Sequence, residues 1–162
     1  PYDAPMALDR LAEQYGRKVL RYLNCPADDC DAEARLLAAS QLWVRDGLMM
    51  AIRIMYHLKE NKTTLKELMQ RLPGFAVTTR TVVCSVNPGR VLRQLSTDAE
   101  SANGEGARIK TNSGYVLVRP SKKGKKLILT AEAADTEIAA ELCGELEQKL
   151  STVFLDIESE KK

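Results

Sequence analysis

The residues best equipped for chemistry lie in one stretch, Gly-Tyr-Val-Leu-Val-Arg-Pro-Ser-Lys-Lys-Gly-Lys-Lys, over residues 114–126. Arg119 and Ser121 are followed there by four lysines in five residues, Lys122, Lys123, Lys125 and Lys126, around Gly124. A guanidinium offers a planar fork of donors that matches phosphate oxygens, and a hydroxyl and loop amides add single donors. Lysines are compact point charges that repel one another unless an anion lies between them. The chemistry on offer is therefore the holding of a phosphate or similar anion. Exposed lysines at a loop tip also keep a protein soluble and a sheet edge unpaired, so both readings stand at this point.

The other reactive side chains form no comparable group. Cys25 and Cys30 flank an acidic Pro-Ala-Asp-Asp run, but no Cys-x-x-Cys pair exists and the single histidine, His57, sits in another segment. Soft-metal sites need convergent thiolates or imidazoles, so a solvated acidic loop is expected and no metal ligands are assigned. Asp46 precedes Gly47 as a helix cap would. His57, on an apolar helical stretch, is expected to be a partly buried packing residue with one satisfied nitrogen. No catalytic residue is assigned.

Composition narrows the classes. The 162 residues carry 24 basic and 22 acidic side chains, a formal net charge of +2, so basicity is local to residues 119–126. A nucleic-acid binder would show a broad basic surface, and a single-strand binder would interleave aromatics with the charge. No nucleic-acid partner is expected. Four scattered cysteines without a disulfide-framework spacing fit a reducing cytoplasm, and no apolar run reaches the ~20 residues that cross a bilayer. The chain opens on Pro1 rather than a methionine, which points to a processed or truncated protein.

The elements that must position the cationic stretch follow from periodicity. A first helix is expected from near Asp3, with Pro5 in its first turn and Gly16 as its stop, then a short strand over residues 17–23. A long helical pattern covers residues 31–59, with a break near residues 45–47. Its second half, Gly-Leu-Met-Met-Ala-Ile-Arg-Ile-Met-Tyr-His-Leu, is apolar on most faces and is expected to be buried. A short amphipathic helix follows, capped by Thr63 or Thr64 and ended by Pro73 and Gly74. Beyond it come a β-branched strand over residues 75–85 and a helix with Val91, Leu92 and Leu95 inward. Three strands follow near residues 107–111, 115–119 and 125–132, then a helix from Asp135 with Ile138, Leu142, Leu146 and Leu150 in line. The fold class is α+β. Residues 75–162 form a β-α-β-β-β-α unit with an antiparallel sheet and both helices on one face. Residues 1–74 form a mostly helical, partial α/β segment (α-β-α-α) that looks incomplete, because a lone strand lacks a ladder partner.

Three stretches resemble the α-D-phosphohexomutase superfamily, the phosphoglucomutase and phosphomannomutase enzymes. Arg-Asp-Gly-Leu-Met-Met-Ala-Ile-Arg at residues 45–53, continuing to Pro73, is similar to the family's Asp-Gly-led helix and the Ser/Thr-Leu-x-Glu-Leu helix after it. Gly-Glu-Gly-Ala-Arg-Ile-Lys-Thr-Asn-Ser-Gly-Tyr-Val-Leu-Val-Arg-Pro-Ser at residues 104–121 is similar to its hairpin and phosphate-loop strand. Residues 129–150 are similar to its closing strand and helix. The resemblance implies that residues 1–74 are the end of a third mutase domain and residues 75–162 the fourth. It implies that Arg119 and Ser121 hold the phosphate of a phosphosugar, with Lys122, Lys123, Gly124 and Lys125 of the same loop as the further candidate phosphate-binding residues.

The departures are informative. The family continues this loop with Gly-Thr-Glu-Pro, where Lys-Lys-Gly-Lys-Lys stands here. Either the lysines hold phosphate in a reshaped loop, or binding has been lost. The Gly-Glu-x-Ser-Gly-type sugar-reading loop, the phosphorylated serine and the Asp-x-Asp-x-Asp loop for Mg2+ are absent from this sequence. The resemblance therefore implies no cofactor and no mutase turnover in this chain, Mg2+ belonging to an intact member, with the remaining domains of a parent protein as partners. Arg-Thr-Val-Val-Cys-Ser-Val-Asn-Pro-Gly-Arg-Val-Leu-Arg-Gln-Leu at residues 80–95 is also similar to fusions of a sugar-1-phosphate nucleotidyltransferase with a mutase-like half, such as mannose-1-phosphate guanylyltransferase homologues. There the fold would serve as a degenerate scaffold or regulatory module.

Overall fold

A computed structural model describes residues 1–162 apart from 26–27, 42, 44–45, 98, 100, 104 and 160–162, with the backbone alone for 101–103. The chain divides into two compact units, Pro1–Pro73 and Gly74–Lys162.

Among its described residues the first unit carries four α-helices, α1 (Ala7–Gln14), α2 (Ala32–Ser40), α3 (Gly47–Glu60) and α4 (Leu65–Gln70). Pro5 lies just ahead of α1, and Gly16 ends it in the left-handed region at φ 64°. Asp46 is the N-cap of α3. Its Oδ1 accepts from the amides of Leu48 and Met49, both at 3.0 Å, which occupies donors that no helical carbonyl can reach. Thr64 caps α4 in a reciprocal box: its hydroxyl accepts from the Glu67 amide while the Glu67 carboxylate accepts from the Thr64 amide at 2.8 Å. Those hydrogen bonds, joined by one from the Thr63 hydroxyl, hold the Glu67 carboxyl below its ordinary range.

Three expectations are corrected here. Residues 17–23 form no strand; they run as an irregular connection. Without a neighbouring ladder, side chains pin it instead. Arg21 forks onto Asp9 with nitrogen–oxygen distances of 2.7 and 2.6 Å and donates to the carbonyls of Ala4 and Pro5. Asp31 accepts from the Leu23 amide at 2.6 Å and pairs with Arg35 at 3.0 Å. The second correction concerns α3, which has no buried residue; Leu48 is 73% exposed and Tyr56 64%. An all-round apolar helix is buried only where other elements supply a cover, and among the described residues no helix of this unit packs broadly on it. The long pattern does break, into α2 and α3, although Arg45 lies outside the described residues. His57 is likewise exposed rather than partly buried, and its Nδ1 lies 3.2 Å from the Asn61 amide nitrogen.

The second unit is the α+β domain. Its strands are β1 (Ala76–Val83), β2 (Ser101–Asn103), β3 (Gly106–Lys110), β4 (Gly114–Pro120) and β5 (Lys126–Ala133), with α5 (Pro88–Leu95) after β1 and α6 (Thr136–Ser159) at the end. The sheet is antiparallel throughout, in the order β1-β5-β4-β3-β2. The short β2 is a strand beyond the expected order. Asn87 caps α5 by accepting from the Gly89 amide at 2.8 Å, with Pro88 at its start. Asp135 caps α6, accepting from the Ile138 amide at 2.8 Å.

Strand alternation sorts the two faces. Leu127, Leu129, Ala131 and Ala133 of β5, Val116 and Val118 of β4, and Ala107 and Ile109 of β3 all enter one core. Val91 and Leu95 of α5 and Leu142, Cys143, Leu146 and Leu150 of α6 meet them there. Both helices therefore cover the same face, α6 over β1, β5 and β4 and α5 over β3 and β4. Gly114 has to be a glycine, because a Cβ there would collide with the Glu132 carbonyl oxygen and approach Leu142 Cδ1 to 3.1 Å.

The cysteines report this burial. None of the four forms a disulfide; Cys25 and Cys30 are exposed and Cys84 and Cys143 buried. Desolvation pushes the Cys84 and Cys143 thiols up. At Cys30 the hydrogen bond to Asp28 does the same, helped by the nearby carboxylates. In a timed thiol-labelling experiment at mildly alkaline pH, Cys25 and Cys30 should react in the native protein and Cys84 and Cys143 only on unfolding. Asp28→Asn should speed labelling of Cys30, because its thiolate then forms at lower pH; an unchanged rate would rule out the Asp28 contact as the brake.

Candidate phosphate-binding site

The site begins with the register of β4. Tyr115, Leu117 and Arg119 alternate away from the helix-covered core and share the other face of the sheet. Leu117 pairs with Thr130 of β5 and Arg108 of β3, and Arg119 pairs with Ile128. Glu132 pairs in register with Tyr115. Arg119 is half-buried, one step past Val118, whose pair with Ala107 closes the β3–β4 ladder. Pro120 follows, pairing only with Leu127 of β5, so its missing N–H falls where no β3 partner needs it.

Beyond Pro120 the chain closes a tight hairpin. The Ser121 amide donates to the Lys126 carbonyl at 2.9 Å, and Gly124 takes the left-handed conformation, φ 74°, that the reversal requires. The Ser121 hydroxyl serves the turn itself, accepting from the Lys123 amide at 3.2 Å and lying 3.3 Å from the Lys123 carbonyl oxygen. The Cys84 amide donates to the Lys125 carbonyl at 2.9 Å and ties the base of the tip to the end of β1. The amides of Lys122, Gly124 and Lys125 make no hydrogen bond to described residues and remain available at the tip.

The structure thus brings Arg119, Ser121, Lys122, Lys123, Gly124 and Lys125 into one contiguous tip. Lys122, Lys123 and Lys125, with Lys126, project into solvent, and the serine hydroxyl is engaged within the turn. Around the Arg119 end of the strand, the donors without a hydrogen bond to described residues are the tip amides, set within a diffuse lysine field.

Arg108 is a feature the sequence reading passed over. It lies on the same sheet face as Arg119, opposite Leu117, and is 4% exposed. Diagonal neighbours on adjacent strands lie about 7–8 Å apart, so two guanidinium-bearing residues sit side by side on this face. The signal was present: with Ala107 and Ile109 inward, Arg108 must face outward, and the Asn-Ser-Gly turn sets which strand it adjoins.

A cleft of about 550 Å³ beside α3 and α4 is lined chiefly by apolar atoms, with Arg53 stacked over Trp43 at 4.6 Å and His57 at its rim. Among the described residues no three His, Cys, Asp or Glu side chains group closely enough to hold a metal ion.

No protein-family model matches the chain. It is 27% identical to a probable phosphoglucosamine mutase of Methanopyrus kandleri over 162 aligned residues, covering 86% of this chain and 35% of that protein. It is 34% identical to a probable phosphoglucosamine mutase of Methanococcoides burtonii over 95 residues, covering 56% of this chain and 22% of that protein. These similarities support the phosphohexomutase superfamily. The chain spans about a third or less of the length of the curated relatives it matches.

Proposed function

We propose that this chain is the phosphate-holding, C-terminal part of a phosphohexomutase-like protein, residues 1–74 ending a third mutase domain and residues 75–162 forming the fourth. The observation that carries the reading is the placement of Arg119, beside Arg108 on one sheet face, at the entry to a four-lysine tip with open amides. Arg119 supplies the planar fork and the tip amides add single donors. The lysines draw the anion in as mobile point charges rather than as fixed ligands. The sugar is a hexose phosphate; glucosamine phosphate is the first to try, given the names of the similar proteins. Lacking the phosphoserine and magnesium-loop motifs, the chain alone turns nothing over.

The test is amide NMR of the full chain titrated with inorganic phosphate, glucosamine 6-phosphate and mannose 1-phosphate. Shifts centred on residues 119–126 are expected. An unmoved spectrum at millimolar ligand would sink the reading, and so would interconversion of glucose 1-phosphate and glucose 6-phosphate by this chain alone.

One observation favours a second reading. The Ser121 hydroxyl is engaged within its own turn and the lysines splay into solvent, as they would in a retired loop. The mutase fold would then be kept as a scaffold or regulatory module, as in a nucleotidyltransferase fusion. The unmoved spectrum is what that reading requires.

A further inference from the structure

Gly106 opens β3 and continues its register one step past the Ala107–Val118 pair, which sets it opposite Arg119. It is buried, and its backbone φ lies outside the left-handed region, so no turn geometry demands a glycine here. Space does. A Cβ at Gly106 would stand 2.6 Å from the Val118 carbonyl oxygen, 3.0 Å from Arg119 Cγ and 3.5 Å from Leu117 Cδ1. The aliphatic stem of Arg119 therefore crosses bare backbone at Gly106. Any side chain there would have to push β3 away from β4 or turn the Arg119 stem aside.

We infer that Gly106 is the positioning residue for Arg119: by leaving β3 bare where the stem crosses, it sets where the guanidinium meets a phosphate. The inference rests on the phosphate-holding reading above. Gly114, the other glycine with a close backbone approach, serves as an internal contrast. Its missing Cβ makes room for Glu132 and Leu142, so it carries strain of the same kind without touching Arg119.

The experiment uses the full chain with inorganic phosphate as the probe, comparing wild type, Gly106→Ala, Arg119→Ala, the double variant and Gly114→Ala. Gly106→Ala should weaken phosphate binding by about tenfold, the order of one misplaced charge-assisted hydrogen bond. The double variant should bind no more weakly than Arg119→Ala alone, because a residue acting through Arg119 has nothing left to act through. Gly114→Ala should lower the thermal midpoint yet keep affinity within about twofold of wild type. A folded Gly106→Ala with wild-type affinity, additive losses in the double variant, or an equal loss in Gly114→Ala would each overturn the inference. If Gly106→Ala does not fold, the wild type saturated with phosphate decides: a nuclear Overhauser contact between the Gly106 α-protons and the Arg119 γ-protons supports it, and its absence overturns it. If wild type binds no phosphate, the functional reading has failed. The positional claim is then judged on stability, where a smaller Gly106→Ala loss in the Arg119→Ala background supports it and an equal loss overturns it.

Discussion

Arg119→Ala should reduce phosphate affinity by roughly ten- to a hundredfold, since hydrogen bonds to charged groups contribute about 1.5–3 kcal/mol and each 1.4 kcal/mol is tenfold. Arg119 is half-buried on the sheet face away from the core, so thermal stability should change little. The same titration on Arg119→Lys separates shape from charge. A lysine keeps the charge but not the planar fork, so most of the loss should persist. Full recovery in Arg119→Lys would mean the site is a charge field and not a grip. Ionic strength gives a second handle. The lysine tip is exposed, so its share of the attraction is screened over a length of about 8 Å at 0.15 M salt, while the arginine contact is screened less. Binding should also strengthen from pH 5 to pH 7, because a phosphate monoester gains its second charge near pH 6. A Lys122→Ala, Lys123→Ala pair should flatten the salt dependence more than it reduces affinity at physiological salt.

What the sequence made legible, and what it left out, divides along physical lines. The β-α-β-β-β-α order of residues 75–162 was legible because each element there meets its own cover. Val91, Leu92 and Leu95 recur at helical spacing and are buried, and β5 alternates from Leu127 to Ala133 without a break. Caps were legible for the same local reason: Asp46, Thr64 and Asp135 each satisfy amides within three residues of themselves. Residues 17–23 misled because β-branched and aromatic content measures fitness for a sheet, not the presence of one. The exposure of α3 was hidden for a related reason, since burial depends on a covering element that no periodicity of α3 can report. At the candidate site, Arg119 and Ser121 were legible as residue types in a strand-to-loop context. The engagement of the Ser121 hydroxyl by Lys123 was not, because a serine two residues before an amide does the same in many loops. Arg108 and Gly106 were missed because their roles lie across the strand pair: one neighbours Arg119 diagonally, the other directly.

Leu129→Ala should have the largest effect on the fold that carries the site. Leu129 is fully buried, pairs with Val118 and Arg80 across β5, and belongs to the one core that both helices cover. Truncating such a leucine costs about 2–5 kcal/mol, against a total of about 5–15 kcal/mol for a domain. The single tryptophan, Trp43, belongs to the other unit, so its fluorescence is the wrong reporter. Cys84 and Cys143 are the right ones: both are buried in this unit, and pulsed thiol labelling against urea should show their midpoint shifted sharply down. Ile128→Ala, one residue away on the opposite face and only half-buried, should shift it much less. Equal shifts would contradict the assignment of faces, and with it the reason Arg119 is turned away from the core. The contrast with Arg119→Ala is then complete in both directions. In the folded fraction Leu129→Ala should keep its phosphate affinity while losing stability, whereas Arg119→Ala should lose affinity and keep stability, because β4 presents Val118 to the core and the next residue to the opposite face.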